Sequence, residues 1–336
     1  MVTIRDVAKE SGYSSALISR LFKGDETLAI TPSTKNKIIT TALALGYDRS
    51  KIKTSLHTIA VLFWLSEEQI MEDAYFKNLK DGLEKYSKTA NMDLVFISKE
   101  EGIEKIPDDV SGFIAIGPVS REELLILHRR GMKGVVRGIN PLPKLFDTVD
   151  TNIRELTREA IDYFLNEGIQ KIGLIGGKFL NPDSGKFEMD SRERAFREHL
   201  ANKGLLEEKY IFTQGEFTIE TGIEMARKMV DTLGEDLPEA CFIASDTIAV
   251  GVLQGFTEKG ILLPKRMSLI SVNDHEMAKY VSVPLTTFHI NTEEMAKSTI
   301  DLLSDQLVYP RDITKSILLG ANLTIRKSFV PTKPFY

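Results

Sequence analysis

The stretch Thr3–Asp25, TIRDVAKESGYSSALISRLFKGD, decides how the N-terminal part of this 336-residue chain folds. Thr3 predicts the start of a helix, because Asp6 follows three residues later and can complete a capping box. Gly12 predicts the end of that helix, and Ser14 predicts the start of a second one. Two short helices joined by a tight glycine turn are typical of a helix-turn-helix.

A third helix is predicted to begin after the N-cap residue Thr31, with Pro32 at its first position, and to end at Gly46. Apolar residues recur at helical spacing in all three segments. The three helices are therefore expected to enclose a small core of their own.

The outward face of the second helix combines short side chains with one long cation. Ser15 and Ala16 would let the helix approach DNA closely, and Arg20 can donate two hydrogen bonds to one guanine. Helical spacing alone leaves two alternatives equally open, a base-reading face and a merely solvated one.

Charge is distributed unevenly along the chain. Residues 1–58 carry nine Lys and Arg against five Asp and Glu, a net charge of +4, whereas the remainder carries −9 of the total of −5. A basic head on an acidic body predicts a polyanion as the partner of the head alone.

These segments carry a family resemblance. Residues 3–25 and the run TPSTKNKIITTALALGY at 31–47 resemble, in register, the DNA-binding head of the LacI/GalR family of bacterial repressors. The resemblance implies base-reading positions at Ser15, Ala16 and Arg20. It also implies phosphate contacts, for which hydroxyls and helix N-termini are suited, at Thr3, Ser14, Ser19, Thr31, Thr34 and Tyr47. The partner implied is double-stranded operator DNA, bound by a homodimer that matches a palindromic site.

Residues 50–56, SKIKTSL, are similar to the hinge helix of that family, whose leucine enters the minor groove at the centre of the operator. Leu56 is the equivalent residue, and an apolar wedge on a basic segment suits a kinked duplex. The alternative is a linker residue packed on the core. The sequence departs from the family pattern at Arg49 and Ser50, which replace Pro-Asn, and only two residues separate Leu56 from the first predicted strand.

The remainder of the chain alternates β-rich runs with amphipathic segments such as 152–166 and 217–232. Apolar strands that alternate with helices form parallel sheets covered on both faces, and the series here predicts two lobes. The predicted strands are 59–65, 93–98, 112–117, 134–139, 171–177, 210–215, 240–246 and 269–274. This arrangement resembles the periplasmic-binding-protein-like core of the same family.

The predicted fold is therefore an all-α helix-turn-helix head followed by a two-lobed parallel α/β core. We place the head at residues 1–58, with its hinge at about 48–58, and the effector-binding and dimerisation core at residues 59–336.

Ligands of open parallel sheets bind beyond the carboxyl ends of the strands. The resemblance implies effector contacts at such ends, at Arg137, Ser245, Asp246 and Asn273. Arg192 matches the arginine with which the family holds effector oxygens, and a planar five-donor fork suits vicinal hydroxyls. Arg137 and Asn273 stand where relatives have other residues, so their ligand contacts are not copied from the family.

Trp64, the only tryptophan, ends the first predicted strand. An aromatic ring there could stack on the apolar face of a sugar, or it could pack in the core. The sequence leaves both alternatives open.

The sequence predicts a transcriptional repressor of a sugar-utilisation operon whose DNA binding is controlled by a sugar-like effector. The stretches GDETLAI, FIASDTIAVGVL and SLISVNDHEMAKYVSVPLTTF look closest to the branch of galactose and β-galactosidase operon repressors, which implies a galactoside. The alternative is a cytoplasmic sugar-binding or sugar-processing protein with a vestigial head. The intact register of the head argues against that alternative.

No catalytic residue, metal site or cofactor is predicted. The five histidines have no metal-ligand spacing, no G-x-S-x-G elbow occurs, and Cys241 lies in an apolar run that predicts a buried, inert thiol. No apolar stretch reaches the roughly 18 residues of a membrane helix, and the N-terminus does not resemble a secretory signal. We therefore expect a cytoplasmic protein without a membrane partner.

Overall fold

The structure, a computed structural model, describes residues 2–25, 27–65 and 74–333. These residues divide into two compact units. Unit 1 holds the N-terminal part up to residue 65 together with 77–150 and 292–317. Unit 2 holds 74–76, 151–291 and 318–333.

The N-terminal head consists of three helices. They are α1 (Ile4–Ser11), α2 (Ser15–Phe22) and α3 (Pro32–Ala44). Thr3, Ser14 and Thr31 are the N-caps, as predicted, and each accepts a hydrogen bond from a backbone N–H of the first turn. Gly12 ends α1 with φ of 79°, a left-handed conformation that glycine adopts without a steric penalty. The predicted helix boundaries of the head are confirmed.

The head encloses its own apolar core. Ile52 and Leu56 of the segment after the helices belong to it. Its other members are almost fully buried and come from the inward positions of all three helices: Val7, Ile18, Leu21, Phe22, Ile38, Ile39 and Ala42. The ring of Tyr47 packs 5.0 Å from that of Phe22, centroid to centroid. Burial of these side chains fixes which face of α2 remains outward.

The strands and helices of the core alternate along the chain. The strands are β1 (His57–Phe63), β2 (Met92–Ile97), β3 (Gly112–Ile116), β4 (Lys133–Arg137), β5 (Asp147–Thr151), β6 (Ile172–Gly176), β7 (Phe179–Asn181), β8 (Lys186–Glu188), β9 (Ile211–Thr213), β10 (Ala240–Ile243), β11 (Ser268–Asn273), β12 (Thr286–His289), β13 (Ser316–Leu319) and β14 (Asn322–Thr324). The helices are α4 (Ala74–Thr89), α5 (Arg121–Arg129), α6 (Ile153–Asn166), α7 (Ser191–Asn202), α8 (Ile219–Leu233), α9 (Asp246–Glu258) and α10 (Thr292–Val308).

Each unit is built around a six-stranded sheet. The order is β13-β5-β4-β3-β1-β2 in one sheet and β14-β12-β11-β10-β6-β9 in the other. The pairs from β1 to β5 and from β6 to β12 within these sheets are parallel, and β14 runs antiparallel to β12. The carboxyl ends of β6, β10 and β11 therefore lie along one edge of the unit 2 sheet, where the sequence places its candidate ligand residues.

The predicted α/β fold class is confirmed, and all eight predicted strands are present. Strands β5, β12, β13 and β14 were not predicted from the sequence, nor was the β7–β8 hairpin inserted between β6 and α7. Among the helices of the described residues, none combines the length and apolar character that a bilayer crossing requires.

Candidate nucleic-acid interface and ligand-binding residues

Three helix N-termini of the head carry exposed hydroxyl groups. Leu17 N–H donates to Ser14 Oγ at 3.2 Å, and Thr34 N–H donates to Thr31 Oγ1 at 3.2 Å. The partial positive charge of a helix N-terminus attracts phosphate. The Ser14 hydroxyl keeps its own hydrogen for such a contact. At α3 the Thr31 hydroxyl donates to Thr34 Oγ1 at 3.0 Å, so the Thr34 hydroxyl keeps its hydrogen instead. The N-termini of α2 and α3 thus have the chemistry of phosphate sites.

The N-terminus of α1 differs because it already holds a carboxylate. Thr3 N–H and Thr3 Oγ1 both donate to Asp6 Oδ2, at 2.8 and 2.7 Å. These hydrogen bonds lower the pKa of Asp6, so its negative charge persists at neutral pH. Thr3 is exposed, but this charge makes its helix end a weaker phosphate site than those of Ser14 and Thr31.

A cleft on the head brings together basic residues that were not predicted from the sequence. It is lined by Val2, Thr3, Ile4, Arg5, Tyr47 and Lys51. Arg5 and Lys51 thus join the predicted phosphate-contacting residues Thr3 and Tyr47 around one concave surface. Arg5 is two positions from Thr3, and Lys51 is four positions from Tyr47. This proximity in sequence is the signal from which both could have been predicted.

The outward face of α2 is polar and accessible. Ser15, Ala16 and Arg20 are exposed and Ser19 is partly buried, whereas Ile18 on the opposite face is fully buried. The short side chains leave the helix surface low around Arg20, which suits close approach to base edges in a major groove.

Two residues of the following loop hold Arg20. Its Nε donates to Asp25 Oδ2 at 2.7 Å, and its Nη2 donates to Thr27 Oγ1 at 3.1 Å. Hydrogen bonds from Arg20 and from Thr27 lower the pKa of Asp25 to about 2, so this carboxylate is charged at neutral pH. Neither partner was predicted from the sequence, because no period or motif relates them to Arg20.

The segment predicted as a hinge helix contains only a single 3₁₀ turn, Arg49–Lys51. Leu56 is 9% exposed and packs against the head core, and its N–H donates to the carbonyl of Asn91 at 2.7 Å. Arg49 donates to Ser304 Oγ at 2.7 Å and to the carbonyl of Ala90. In this conformation Leu56 is packed on the core, which is one of the two alternatives that the sequence left open. Its role as a wedge in the minor groove stays a prediction.

In unit 1, the side chains of the two predicted ligand residues have different surroundings. Trp64 is 1% exposed and lies in the apolar cluster with Leu62 and Phe113, which is the core-packing alternative. Arg137 ends β4, and its side chain is mostly buried, 3.8 Å from Asp150. Its Nε lies 3.1 Å from the sulfur of Met295.

In unit 2, Arg192 is fixed at the start of α7. Its Nε donates to Oδ1 of the N-cap residue Asp190 at 2.7 Å, and its Nη1 donates to the carbonyl of Ala244 at 2.6 Å. Its guanidinium lies 4.5 Å from the ring centroid of Phe217, in cation–π contact. Because the guanidinium has five N–H groups, it keeps donors for a further acceptor at the carboxyl edge of β6 and β10.

Ser245 and Asp246, also predicted as ligand contacts, are buried and hydrogen-bonded within the protein. Ser245 is the N-cap of α9. Asp246 accepts hydrogen bonds from the hydroxyls of Ser271 and Thr287 and, at 2.8 Å, from the N–H of His275. Burial raises the pKa of Asp246. This carboxylate thus links α9 to β11 and β12 by hydrogen bonds. Both of its oxygens already accept hydrogen bonds from the protein.

Backbone strain marks the carboxyl end of β11. Asn273 and Asp274 have φ of 119° and 58°, a conformation that L-residues adopt rarely and that clusters at ligand sites. Asp274 is held by Arg326, at 2.6 Å, and by Thr324, at 3.1 Å. The side-chain amide of Asn273 is partly exposed and has no partner within the residues that the structure describes. It is therefore available to a ligand.

Comparison with known proteins gives the family. The family model of the periplasmic binding protein-like domain matches residues 161–329 of this chain. The chain is 40% identical over 328 residues to the HTH-type transcriptional regulator GanR of Bacillus subtilis (strain 168), covering 98% of this chain and 99% of that one. It is 38% identical over 340 residues to the HTH-type transcriptional regulator LacR of Lactobacillus helveticus, with the same coverage.

Solved structures of 18 to 20% identity share the fold. A complex of the transcriptional regulator CelR with cellobiose superposes with a TM-score of 0.71 and 20% identity, covering 98% of this chain and 100% of that one. A lac repressor dimer bound to operator and the anti-inducer ONPF gives a TM-score of 0.70 and 18% identity, covering 97% and 98%. With the two close relatives matched over nearly their whole length, the chain belongs to the LacI/GalR family of HTH-type transcriptional regulators.

Proposed function

We propose that this chain is a repressor that reads its operator through the outward face of α2. The observation that supports this most directly is the exposed set Ser15, Ala16 and Arg20 on α2, a helix whose N-terminus, like that of α3, is capped by an exposed hydroxyl residue. Phosphate contacts at those N-termini would fix the register of the head, and Arg20 would supply base discrimination. Two heads in a homodimer would read the two halves of a palindromic site.

The proposed effector is a small sugar, with a galactoside as the first candidate. Arg192 and Asn273 of unit 2 keep free polar groups, so we assign them direct contacts with sugar hydroxyls. Asp246 holds the backbone of His275, two residues after Asn273. Ser245 caps the helix that follows Ala244, whose carbonyl accepts from Arg192. Relatives of this fold have been solved with cellobiose and with bound ribose, which favours a carbohydrate over a purine.

Selection of a randomised duplex library by the full-length chain tests the proposal. The chain should enrich a single two-fold-symmetric sequence, and galactose, lactose or cellobiose should change its affinity. Enrichment of no sequence would contradict operator recognition, and a response to guanine or hypoxanthine alone would contradict the sugar assignment.

Arg20→Ala should reduce discrimination at one base pair per half-site by about 1 to 3 kcal/mol, because alanine cannot form the bidentate hydrogen bonds that arginine makes with guanine. Titration of operator variants, each changed at one position, measures this effect. Equal decreases in affinity for the operator and for random DNA would show that Arg20 contacts phosphate only.

Arg5→Ala should have the opposite pattern, because Arg5 lies in the cleft assigned to phosphate. Binding should weaken by a similar factor on every sequence, and the slope of log affinity against log salt should fall by about 0.9 for each phosphate that is no longer neutralised. Titrations at several salt concentrations measure this slope. An effect confined to one base position would overturn the assignment of the cleft.

A further inference from the structure

Arg20 does not project freely from α2, because two side chains of the loop after the helix engage one edge of its guanidinium. We propose that Asp25 and Thr27 are positioning residues that hold Arg20 for end-on recognition of a guanine. This inference rests on the proposed function, since it concerns how Arg20 reads a base.

The hydrogen bonds determine which edge of Arg20 remains available. Asp25 accepts the hydrogen bond from Nε, and Thr27 accepts one from Nη2, so the side edge of the guanidinium is occupied. Both hydrogens of Nη1 and the second hydrogen of Nη2 remain, and they lie along the outer end of the group. An outer end with two parallel donors matches O6 and N7 of guanine.

The two partners also fix each other. Asp25 Oδ1 accepts from Thr27 Oγ1 at 2.6 Å and from Thr27 N–H at 3.0 Å. Because the Thr27 hydroxyl donates to Asp25, its lone pairs face Arg20. The N–H of Asp25 donates to the carbonyl of Arg20 itself at 3.2 Å, so the loop and the arginine are anchored to the same turn of helix.

This arrangement contributes specificity rather than affinity. A free arginine beside DNA has rotamers that reach phosphates, which are attractive on any sequence. The carboxylate of Asp25 repels phosphate and holds the arginine in one rotamer, which lowers the ordering cost of base contact. Non-specific binding should therefore rise, and discrimination should fall, when Asp25 loses its charge.

The test compares Asp25→Asn and Thr27→Val with a matched control, Glu10→Gln, in the full-length chain. Glu10 is an exposed carboxylate of the same head, so its neutralisation changes the net charge equally without touching Arg20. Each variant is titrated with the operator selected by the wild type, with single-base variants of it and with random duplex. Binding of random duplex also shows that the head is folded.

We expect Asp25→Asn and Thr27→Val to lower the ratio of specific to non-specific affinity by about three- to tenfold, about the cost of re-ordering an arginine side chain. Glu10→Gln should leave the ratio unchanged, and Thr27→Ser should restore it because the hydroxyl returns. Substituting 7-deazaguanine at the contacted base should weaken the wild type more than either loop variant.

Two results would overturn the inference, and they are distinguishable. If Arg20→Ala loses discrimination while Asp25→Asn and Thr27→Val keep the wild-type ratio within about twofold, the positioning role fails and base reading by Arg20 stands. If Arg20→Ala itself keeps full discrimination, the base-reading assignment fails and the positioning role fails with it.

Discussion

Replacing Gly251 with alanine should destabilise unit 2 by about 3 kcal/mol or more, because the added methyl group has no space between two packed helices. A Cβ atom at Gly251 would overlap the carbonyl oxygen of Ile219 and lie 2.9 Å from its carbonyl carbon. Gly222 stands in the reciprocal position, where a Cβ atom would overlap the carbonyl oxygen of Ile248. Since the obstacle is backbone in both directions, no rotamer change relieves it.

The sign of the change in the free energy of unfolding distinguishes an effect of packing, which destabilises, from an effect of helix propensity, which stabilises. In an exposed helix the same change stabilises by about 1 kcal/mol, since alanine has the higher propensity. Gly320→Ala, in the connection between β13 and β14, is the control for an unobstructed methyl group, because a Cβ atom there meets no other atom within 4 Å and its φ is not positive. Urea titrations followed by circular dichroism should show a lower midpoint for Gly251→Ala alone. Equal midpoints would mean that α8 and α9 separate at little cost.

Local signals explain why the head could be predicted almost completely. Each N-cap at Thr3, Ser14 and Thr31 depends on atoms within three residues, and the glycine at position 12 depends on its own φ. Such short-range interactions can be predicted from a single sequence. Strands β1 and β3 were equally predictable, because each contains a continuous run of at least four apolar residues.

Strand β12 was missed because its burial comes from distant partners. Its residues include Thr286 and Thr287, which are polar in isolation yet fully buried here. The N–H of Thr286 donates to Ser328 Oγ at 2.8 Å, and the hydroxyl of Thr286 donates to the carbonyl of Phe329 at 2.6 Å. A pattern of hydrophobicity cannot predict hydrogen bonds between residues that are more than forty positions apart in the sequence.

The ligand residues were predictable as a group but not in their roles. Position at a strand end led to Asp246 and Asn273 alike, and the sequence does not say which side chain turns inward. The structure buries Asp246 among hydroxyl donors and leaves the amide of Asn273 without a partner among the described residues. Leu56 is a similar case, because it packs against the head core while its N–H donates to the carbonyl of Asn91, 35 positions away.

Arg192→Ala should weaken sugar binding by about 2 to 3 kcal/mol, roughly 30- to 150-fold, while operator binding without sugar stays near wild type. The expected decrease is that of two charge-assisted hydrogen bonds from the free donors of the guanidinium. Arg192→Lys should recover only part of the affinity, since a lysine keeps the charge but not the planar fork that Asp190 and Ala244 orient.

The matched control for this prediction is Arg194→Ala, an exposed arginine two residues further along α7. A thermal-shift screen of galactose, lactose and cellobiose with the wild type identifies the ligand, and calorimetric titration then gives each variant's affinity. If Arg192→Ala binds within about twofold of the wild type, Arg192 only supports the fold around Asp190. If both variants bind sugar equally weakly, the decrease reflects the positive charge of α7 rather than a direct hydrogen bond. Weak binding by Arg192→Ala alone, with Arg192→Lys between the two, requires the guanidinium itself to hold the sugar.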